Sequence, residues 1–398
     1  MRVLIIPSPS ATHFMPMVPL AWALRAAGHE VLVAGQPDVL GAVADSGLNA
    51  VSVGDRSGIN DSLLDLVRPG QRPLAWMGRW TSAMMSVFPP VWLRHSENVL
   101  PLYLELAGEY RPDLILSDVL EFNALIVGQL LRIPVAHHRY GIDPVSEPLA
   151  AGAREALRPL YTGLGLPALP GPSVIIDPCP PVLQLPGLAP GLLMRYVPYN
   201  GNGVLPGWLR DERRSAAEGR RVVVSLGSHT LRMNGVPLLR RILRAFEDLA
   251  DLEVIATVDA RYRAELGEVP STVRLVDPLP LHLLLPGCDA IVHHGGQGTA
   301  MTAVGHGLPQ LSLPQIADGF ACGDRLASVG AGISIEDPGL QDDPLQVRKA
   351  VETLLNDPSF RQAARGLRRA AAELPSPAAV VGRLERAVRT HTPRKVSA

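Results

Sequence analysis

The 398-residue chain is poor in lysine and in net charge, and both shortages limit what it can bind. Lysine occupies only two positions, Lys349 and Lys395, so arginine carries nearly all of the positive charge. With 37 basic and 38 acidic residues the formal net charge is −1, which leaves no excess of positive charge to attract a polyanion. We therefore expect no nucleic-acid partner.

Cysteine and long apolar runs are also scarce. The three cysteines (Cys179, Cys288 and Cys322) are widely spaced and form no C-x-x-C pair, which favours a reducing compartment without disulfides. The apolar N-terminus lacks a basic segment and is interrupted by Pro7 and Pro9, so it is not typical of a signal peptide. Because no uncharged apolar run reaches membrane-spanning length, we expect a cytoplasmic protein with no membrane partner.

Apolar runs of strand length alternate with longer amphipathic stretches in both halves of the chain. The runs are RVLIIP, EVLVAG, DLILSD and PVAHH in the first half, and RRVVVSLGS, LEVIATV, VRLVD, AIVHHGG and PQLSLP in the second. Their nearly continuous valine, isoleucine and leucine predicts parallel strands that are covered on both faces. The pattern indicates the α/β class, with two doubly wound parallel sheets.

The chain length suits two domains, and a segment rich in proline and glycine lies between the two halves. Over residues 165–220 these residues argue against any continuous helix or strand. We predict an N-terminal domain over 1–200, a linker over 201–220, a C-terminal domain over 221–375, and a final helix and tail over 376–398.

The first strand-to-helix turn contains no glycine. It reads PSPSATHFMP and presents His13. The second half instead has the turn HHGGQGT, with Gly295, Gly296 and Gly298 before a predicted helix, and a second glycine turn, SLGSHT. Glycines let the backbone approach a ligand closely, and unpaired N–H groups at a helix start favour an anion. The late turns therefore predict an anion site.

Spacing restricts the kind of anion site. The chain has neither the G-x-x-x-x-G-K-[ST] phosphate loop nor a G-x-G-x-x-G motif after its first strand. An imidazole beside the glycines suits a diphosphate, because it can stabilise a leaving group that gains negative charge. Taken alone, a histidine at a strand end or a glycine turn is often purely structural, so the inference depends on their combination.

The block HHGGQGT, followed by GLPQLSLPQIAD, resembles that of family-1 glycosyltransferases of the two-domain GT-B fold. The segments AGHEV, SDVLEF, DPCPP and RYVPYNG extend the resemblance over nearly the whole chain. It is nearest to the bacterial natural-product branch, of the calicheamicin and urdamycin type, which transfers deoxysugars from dTDP donors. The resemblance implies two Rossmann-like domains that face each other across a cleft, with a nucleotide-sugar donor and a hydrophobic small-molecule acceptor as partners.

The resemblance also implies roles for individual residues. His13 matches the general base that deprotonates the acceptor hydroxyl in an inverting transfer, and Asp118 matches the carboxylate that orients it. Imidazole suits this role because its ordinary pKa lies near neutral pH. The donor-binding residues implied are Gly227, Ser228, Leu279, His294, Gly295, Gly296, Gly298, Thr299 and Asp318. The chain has no D-x-D motif, so we expect no metal and no cofactor other than the donor substrate.

The acceptor side is harder to interpret. The stretch LAWMGRWTSAMMSVF contains Trp76, Trp80, Met84 and Phe88 at helical spacing, which favours a core role. The alternative is a pocket for a flat apolar acceptor, to which methionine and aromatic side chains are suited. Two further acceptor-binding candidates, His138 and Tyr140, follow the strand PVAHH and are expected to face the same cleft.

The chain departs from the family pattern at two positions and leaves several alternatives open. Asp318 is followed by Gly319 where relatives carry glutamine, and Pro278 stands where many relatives have a tryptophan that stacks on the base. O-transfer is favoured by His13, and C-glycosyl transfer to an aromatic ring is the main alternative. A catalytically silent partner, a nucleotide-sugar 2-epimerase and a homodimer also stay open.

Overall fold

The structure is a computed structural model that describes residues 1–58, 64, 67–81, 84, 89–214, 219–249 and 251–391. Within these residues the first half forms a parallel sheet with the order β3-β2-β1-β4-β5-β6-β7. Its strands are β1 (Arg2–Ile6), β2 (Glu30–Gly35), β3 (Asn49–Ser52), β4 (Leu114–Asp118), β5 (Val135–His138), β6 (Val174–Asp177) and β7 (Leu192–Leu193).

The second half forms another parallel sheet, with the order β10-β9-β8-β11-β12-β13. Its strands are β8 (Arg220–Ser225), β9 (Leu252–Thr257), β10 (Val273–Val276), β11 (Ala290–His293), β12 (Gln310–Ser312) and β13 (Gly332–Ser334). Each sheet has its own buried core of aliphatic side chains, as the unbroken apolar strands predict.

Helices cover both faces of the two sheets. In the first half they span Ala11–Phe14, Val18–Ala26, Pro37–Asp45, Pro73–Met77, Pro89–Tyr110, Phe122–Leu131, Ser146–Ala156 and Arg158–Gly163. In the second half they span Gly207–Arg214, Gly227–Thr230, Val236–Arg244, Ala260–Leu266, Leu281–Leu284, Gln297–His306, Gly319–Ser328, Pro338–Asp342, Pro344–Asn356, Pro358–Glu373 and Pro377–His391. A 3-10 turn, Met15–Met17, and a π turn, Leu231–Gly235, complete the described helical elements.

The predicted strands are all present, and the α/β class with two doubly wound parallel sheets is confirmed. The expectation that residues 165–220 contain no continuous helix or strand is wrong. This segment holds β6, β7 and the helix Gly207–Arg214. Pairing explains the difference, because β6 continues the sheet beside β5 and β7 pairs with β6. The domain bounds stay a prediction.

The last helix, Pro377–His391, crosses back to the first domain. Val380 and Leu384 are fully buried in the same cluster as Val3 and Ile5 of β1, beside the helix Val18–Ala26. The three cysteines are buried and form no disulfide. In the described part of the chain, no helix combines the length and apolarity needed to cross a membrane.

Candidate active site

Both sheets reverse their strand order at one internal pair of neighbouring strands. In the first sheet this pair is β1 and β4, and in the second it is β8 and β11. In open parallel sheets, ligands bind outside the carboxyl ends of the strands at such a reversal. The turns that follow these strands contain His13 and His294, and both residues line one cleft.

The cleft has a volume of about 470 Å³ and lies between the two domains. Of the predicted residues, the cleft is lined by His13, Trp80, Tyr140, Gly227, Ser228, Leu279, His294, Gly296, Gly298, Thr299 and Asp318. The predicted donor and base residues are thus brought together, with Gly295 and Asp118 directly behind the lining.

His13 is held by Asp118 across the β1–β4 reversal. The His13 Nδ1 atom lies 3.3 Å from Asp118 Oδ1, and the imidazole is 25% exposed whereas the carboxylate is 1% exposed. Asp118 also accepts hydrogen bonds from the Ser8 hydroxyl at 3.0 Å and the Leu120 backbone N–H at 2.9 Å. Because Nδ1 contacts Asp118, Nε2 is the ring nitrogen that can interact with a molecule in the cleft.

The pair shifts both pKa values toward the ionised form. Burial alone would lower the pKa of His13, but the hydrogen bond and charge of Asp118, with the charge of Asp318, raise it above 6.5. Burial alone would raise the pKa of Asp118, but His13 and the N–H groups of Ser8 and Leu120 lower it. The Asp118 carboxylate therefore stays charged while His13 titrates.

The His294 ring lies in a slot between two backbone segments that glycine makes possible. A Cβ atom at Gly296 would lie 2.4 Å from His294 Nε2, and a Cβ at Gly227 would lie 2.8 Å from its Cε1 atom. Gly227 also has φ +70°, which disfavours other residues. The two glycine turns predicted from the sequence therefore enclose one imidazole.

Burial also determines the charge of His294. Burial lowers its pKa to about 4, and this outweighs a hydrogen bond to the Ser225 backbone. The ring is consequently neutral at pH 7 in the free protein. The helix Gln297–His306 begins just after it, so unpaired N–H groups at the helix start and one neutral imidazole face the same part of the cleft.

The loop after β12 packs directly on this turn. Gly295 has φ +87°, and a Cβ atom there would lie 2.7 Å from Gly319 Cα. A Cβ at Gly319 would in turn lie 3.0 Å from the His294 carbonyl oxygen. A side chain at 319 would therefore require the His294 backbone to move by a few tenths of an ångström. The neighbouring Asp318 lines the cleft, and burial raises the pKa of that carboxyl.

The structure divides the acceptor-binding candidates into residues that line the cleft and residues that do not. Trp80 and Tyr140 line the cleft, and the Tyr140 ring centroid lies 5.1 Å from that of His13. Trp76, Met84 and His138 are not among the lining residues. The Trp76 ring lies under the Arg68 guanidinium, and Met84 packs on the core of the first sheet. His138 is buried, and burial lowers its pKa to about 4. Phe88 lies outside the described residues. Acceptor contacts stay a prediction for all of them.

On the donor side, Leu279 lines the cleft, whereas Pro278 is exposed and is not part of the lining. Proline at 278 is therefore not placed as a stacking face in the cleft, the role that the resemblance gives to a tryptophan. Among the described residues, no group of three or more histidine, cysteine, aspartate or glutamate side chains is placed to hold a metal ion.

Sequence reasoning missed several lining residues. Tyr196, Tyr199 and Asn200 come from the segment RYVPYNG, and Gln297 belongs to the glycine turn itself. Gln297 Oε1 accepts a hydrogen bond from the Ile142 N–H at 3.0 Å, which joins the two domains beside the cleft. RYVPYNG contributed to the resemblance, but no motif within it indicates that its side chains return to the cleft.

Two Rossmann-like domains with one cleft between their strand ends define the GT-B class. Residues 22–227 match the N-terminal domain of the family described as erythromycin biosynthesis protein CIII-like, and residues 240–387 match its C-terminal domain. The chain belongs to this family and is a glycosyltransferase. The resemblance drawn from the sequence is therefore confirmed.

Individual relatives are similar to this chain over nearly their full length. The L-demethylnoviosyl transferase of Streptomyces niveus is 36% identical over 395 residues, covering 99% of this chain and 100% of that protein. The 10-deoxymethynolide desosaminyltransferase of Streptomyces venezuelae is 33% identical over 425 residues, covering 98% of both. The structure of spinosyn rhamnosyltransferase SpnG superposes with a TM-score of 0.85 at 36% identity, covering 97% of this chain and 100% of that one. SpnG has also been solved with thymidine diphosphate and with the spinosyn aglycone.

Proposed function

We propose that this protein transfers a deoxysugar from a TDP-sugar to a hydroxyl group of a hydrophobic polyketide aglycone. The names of the relatives support the sugar and acceptor classes, and the complexes of SpnG support the nucleotide and the aglycone. The observation that carries the proposal is the cleft itself, which has His13, backed by Asp118, from one domain and the His294 glycine turn from the other.

In this proposal His13 Nε2 removes the proton of the acceptor hydroxyl as its oxygen attacks the anomeric carbon. Asp118 holds Nδ1 and stabilises the imidazolium that forms. The bond from the anomeric carbon to the diphosphate oxygen breaks on the opposite face of the sugar, which inverts the configuration. The diphosphate gains negative charge as it leaves, and a neutral His294 with the N–H groups at the start of the helix Gln297–His306 would stabilise it without a metal.

The test is calorimetric binding of TDP, UDP and GDP to the wild type and to His294→Ala. We expect the wild type to prefer TDP. We expect the variant to lose about 10- to 100-fold in TDP affinity, because a hydrogen bond to a charged group contributes about 1.5–3 kcal/mol.

His306→Ala is the matched control, since His306 is a half-buried histidine at the far end of the helix Gln297–His306 and does not line the cleft. Equal TDP affinity in the wild type and His294→Ala would contradict the assignment of His294. No nucleotide binding by the wild type would contradict the proposed donor. A requirement for a divalent metal in turnover assays would contradict the metal-free mechanism.

A further inference from the structure

One arginine of the first domain is buried in the second domain, directly behind the cleft. Arg72 precedes the helix Pro73–Met77, and its side chain is only 6% exposed. Its Nη1 donates to Gln315 Oε1 at 3.0 Å and to Gln341 Oε1 at 2.7 Å, and its Nη2 donates to Asp342 Oδ1 at 2.8 Å. All three partners belong to the donor-side domain, so this arginine joins the two halves of the protein.

The network around Arg72 fixes the loop that follows β12. Gln315 Nε2 donates to the Leu313 carbonyl at 2.8 Å and to Gln341 Oε1 at 2.7 Å. Gln341 Nε2 donates to the carbonyl groups of Pro314 at 3.1 Å and Ile335 at 2.8 Å. Gln315 is 2% exposed and Gln341 is fully buried. Buried polar groups that are paired in this way specify one arrangement of the backbone.

This loop forms the wall of the cleft beside His294. Gln315, Ile316, Ala317, Asp318 and Gly319 all line it. Ala317 has φ +47°, which is unfavourable for a residue other than glycine and persists only where the surroundings hold it. Ile316 and Ala317 pack on the core of the first domain. The loop therefore takes its shape from contacts that the opposite domain supplies.

We propose that Arg72 is a positioning residue for the donor sugar, acting through Gln315 on the loop 314–319. This inference rests on the proposed function, in which Asp318 and its neighbours face the sugar of the TDP-sugar. Because Arg72 belongs to the first domain, the sugar-binding loop is complete only when the two domains are docked. TDP itself is assigned to the glycine turns, so we expect Arg72 to affect TDP binding much less than binding of the sugar.

A second bridging arginine provides a matched control. Arg79 forms ion pairs with Asp324 and with Glu336, also across the domain boundary, but it is 48% exposed. Neither of its partners lines the cleft. Exposed ion pairs contribute little to stability, whereas the loss of Arg72 leaves Gln315 Oε1 buried without its donor.

The test compares Arg72→Met, Arg72→Lys and Arg79→Ala with the wild type in two measurements. Hydrogen–deuterium exchange of a peptide covering residues 314–319 reports the order of the loop without any ligand. Calorimetry then gives the affinity for TDP and for the better bound of TDP-glucose and TDP-L-rhamnose. The ratio of the two affinities isolates the contribution of the sugar.

In Arg72→Met we expect faster exchange at 314–319. We also expect a loss of about 10- to 100-fold in TDP-sugar affinity, because the unpaired glutamine disfavours the wild-type loop by about 1–3 kcal/mol and sugar binding must restore that loop. Affinity for TDP should stay within about threefold, a change below 1 kcal/mol. Arg72→Lys should recover part of the loss, because an ammonium group retains a charge and donors but lacks the fork of the guanidinium. Arg79→Ala should resemble the wild type in both measurements.

Unchanged exchange at 314–319 in Arg72→Met would overturn the proposal. Equal losses of TDP and TDP-sugar affinity in that variant would also overturn it, since they would indicate a general structural defect. Failure of the wild type to bind TDP would contradict the proposed function instead. The exchange measurement would still decide whether Arg72 orders the loop.

Discussion

The turn after β1 and the turn after β11 occupy comparable places, because each follows a strand at the reversal of its sheet. The first turn has no glycine and presents a partly exposed imidazole that a buried carboxylate holds. The second has three glycines, and one of them, Gly296, encloses a half-buried imidazole together with Gly227 of the other glycine turn. The same topology thus provides one histidine with an acidic partner and another with backbone N–H groups around it.

This difference in surroundings gives the two histidines opposite pKa shifts. Asp118 raises the pKa of His13 above 6.5, and burial lowers that of His294 to about 4. A group that must accept a proton near neutral pH suits the first environment, and a neutral hydrogen-bonding group for a diphosphate suits the second. The chemistry of each turn follows from the neighbouring strand and the neighbouring glycines.

The largest effect that we expect to distinguish the two turns comes from His13→Ala. Loss of the proposed general base should reduce kcat by about 10²–10⁴-fold, while TDP affinity stays unchanged because the nucleotide is assigned to the other turn. Steady-state turnover and TDP calorimetry on the same preparation check this. Turnover at the wild-type rate would remove His13 from the mechanism, and a parallel loss of TDP affinity would contradict the division between the turns.

A smaller effect is expected when the slot around His294 is filled. In Gly296→Ala the added Cβ would lie 2.4 Å from Nε2 and would displace the ring. A displaced ring would lose its hydrogen bond to the diphosphate, which contributes about 1.5–3 kcal/mol, so TDP affinity should fall by about 10- to 100-fold. Calorimetry measures the change.

Gly305→Ala is the control for that substitution. Gly305 lies in the same helix, and a Cβ there would meet nothing within 4 Å. The Gly305→Ala variant should bind TDP with the affinity of the wild type. If Gly296→Ala and Gly305→Ala bind TDP equally well, the slot does not determine diphosphate binding.

The smallest expected effect is the pH dependence of the wild type. In the proposed mechanism His13 accepts a proton only when it is neutral, and its pKa is raised, so kcat/KM should fall as pH decreases through a value above 6.5. Below that pKa the fall should approach about tenfold per pH unit. Donor KM should stay constant between pH 6 and 8, because His294 is neutral throughout this range. An acid limb below 6.5 would contradict the His13–Asp118 coupling.

Local sequence patterns were sufficient for the class of fold and for many of the residues that line the cleft. Nearly continuous apolar runs predict buried parallel strands, and the glycines of HHGGQGT predict an anion site, because both depend on residues close together in the chain. Strands β3, β6, β7 and β13 were not predicted. They are short, and pairing with a neighbouring strand rather than local composition forms them.

By itself, the sequence determined the two α/β halves, the glycine turn and the histidine that replaces glycine in the first turn. Tertiary structure alone decided which groups meet. It brings Gly227 and Gly296 around one imidazole, inserts Arg72 beside Gln315, and returns Tyr196 to the cleft. The physical reason is that hydrogen bonding and burial depend on distances in space and not on separation along the chain. Residues more than 200 positions apart, such as Arg72 and Gln315, share no local sequence pattern that could predict their contact.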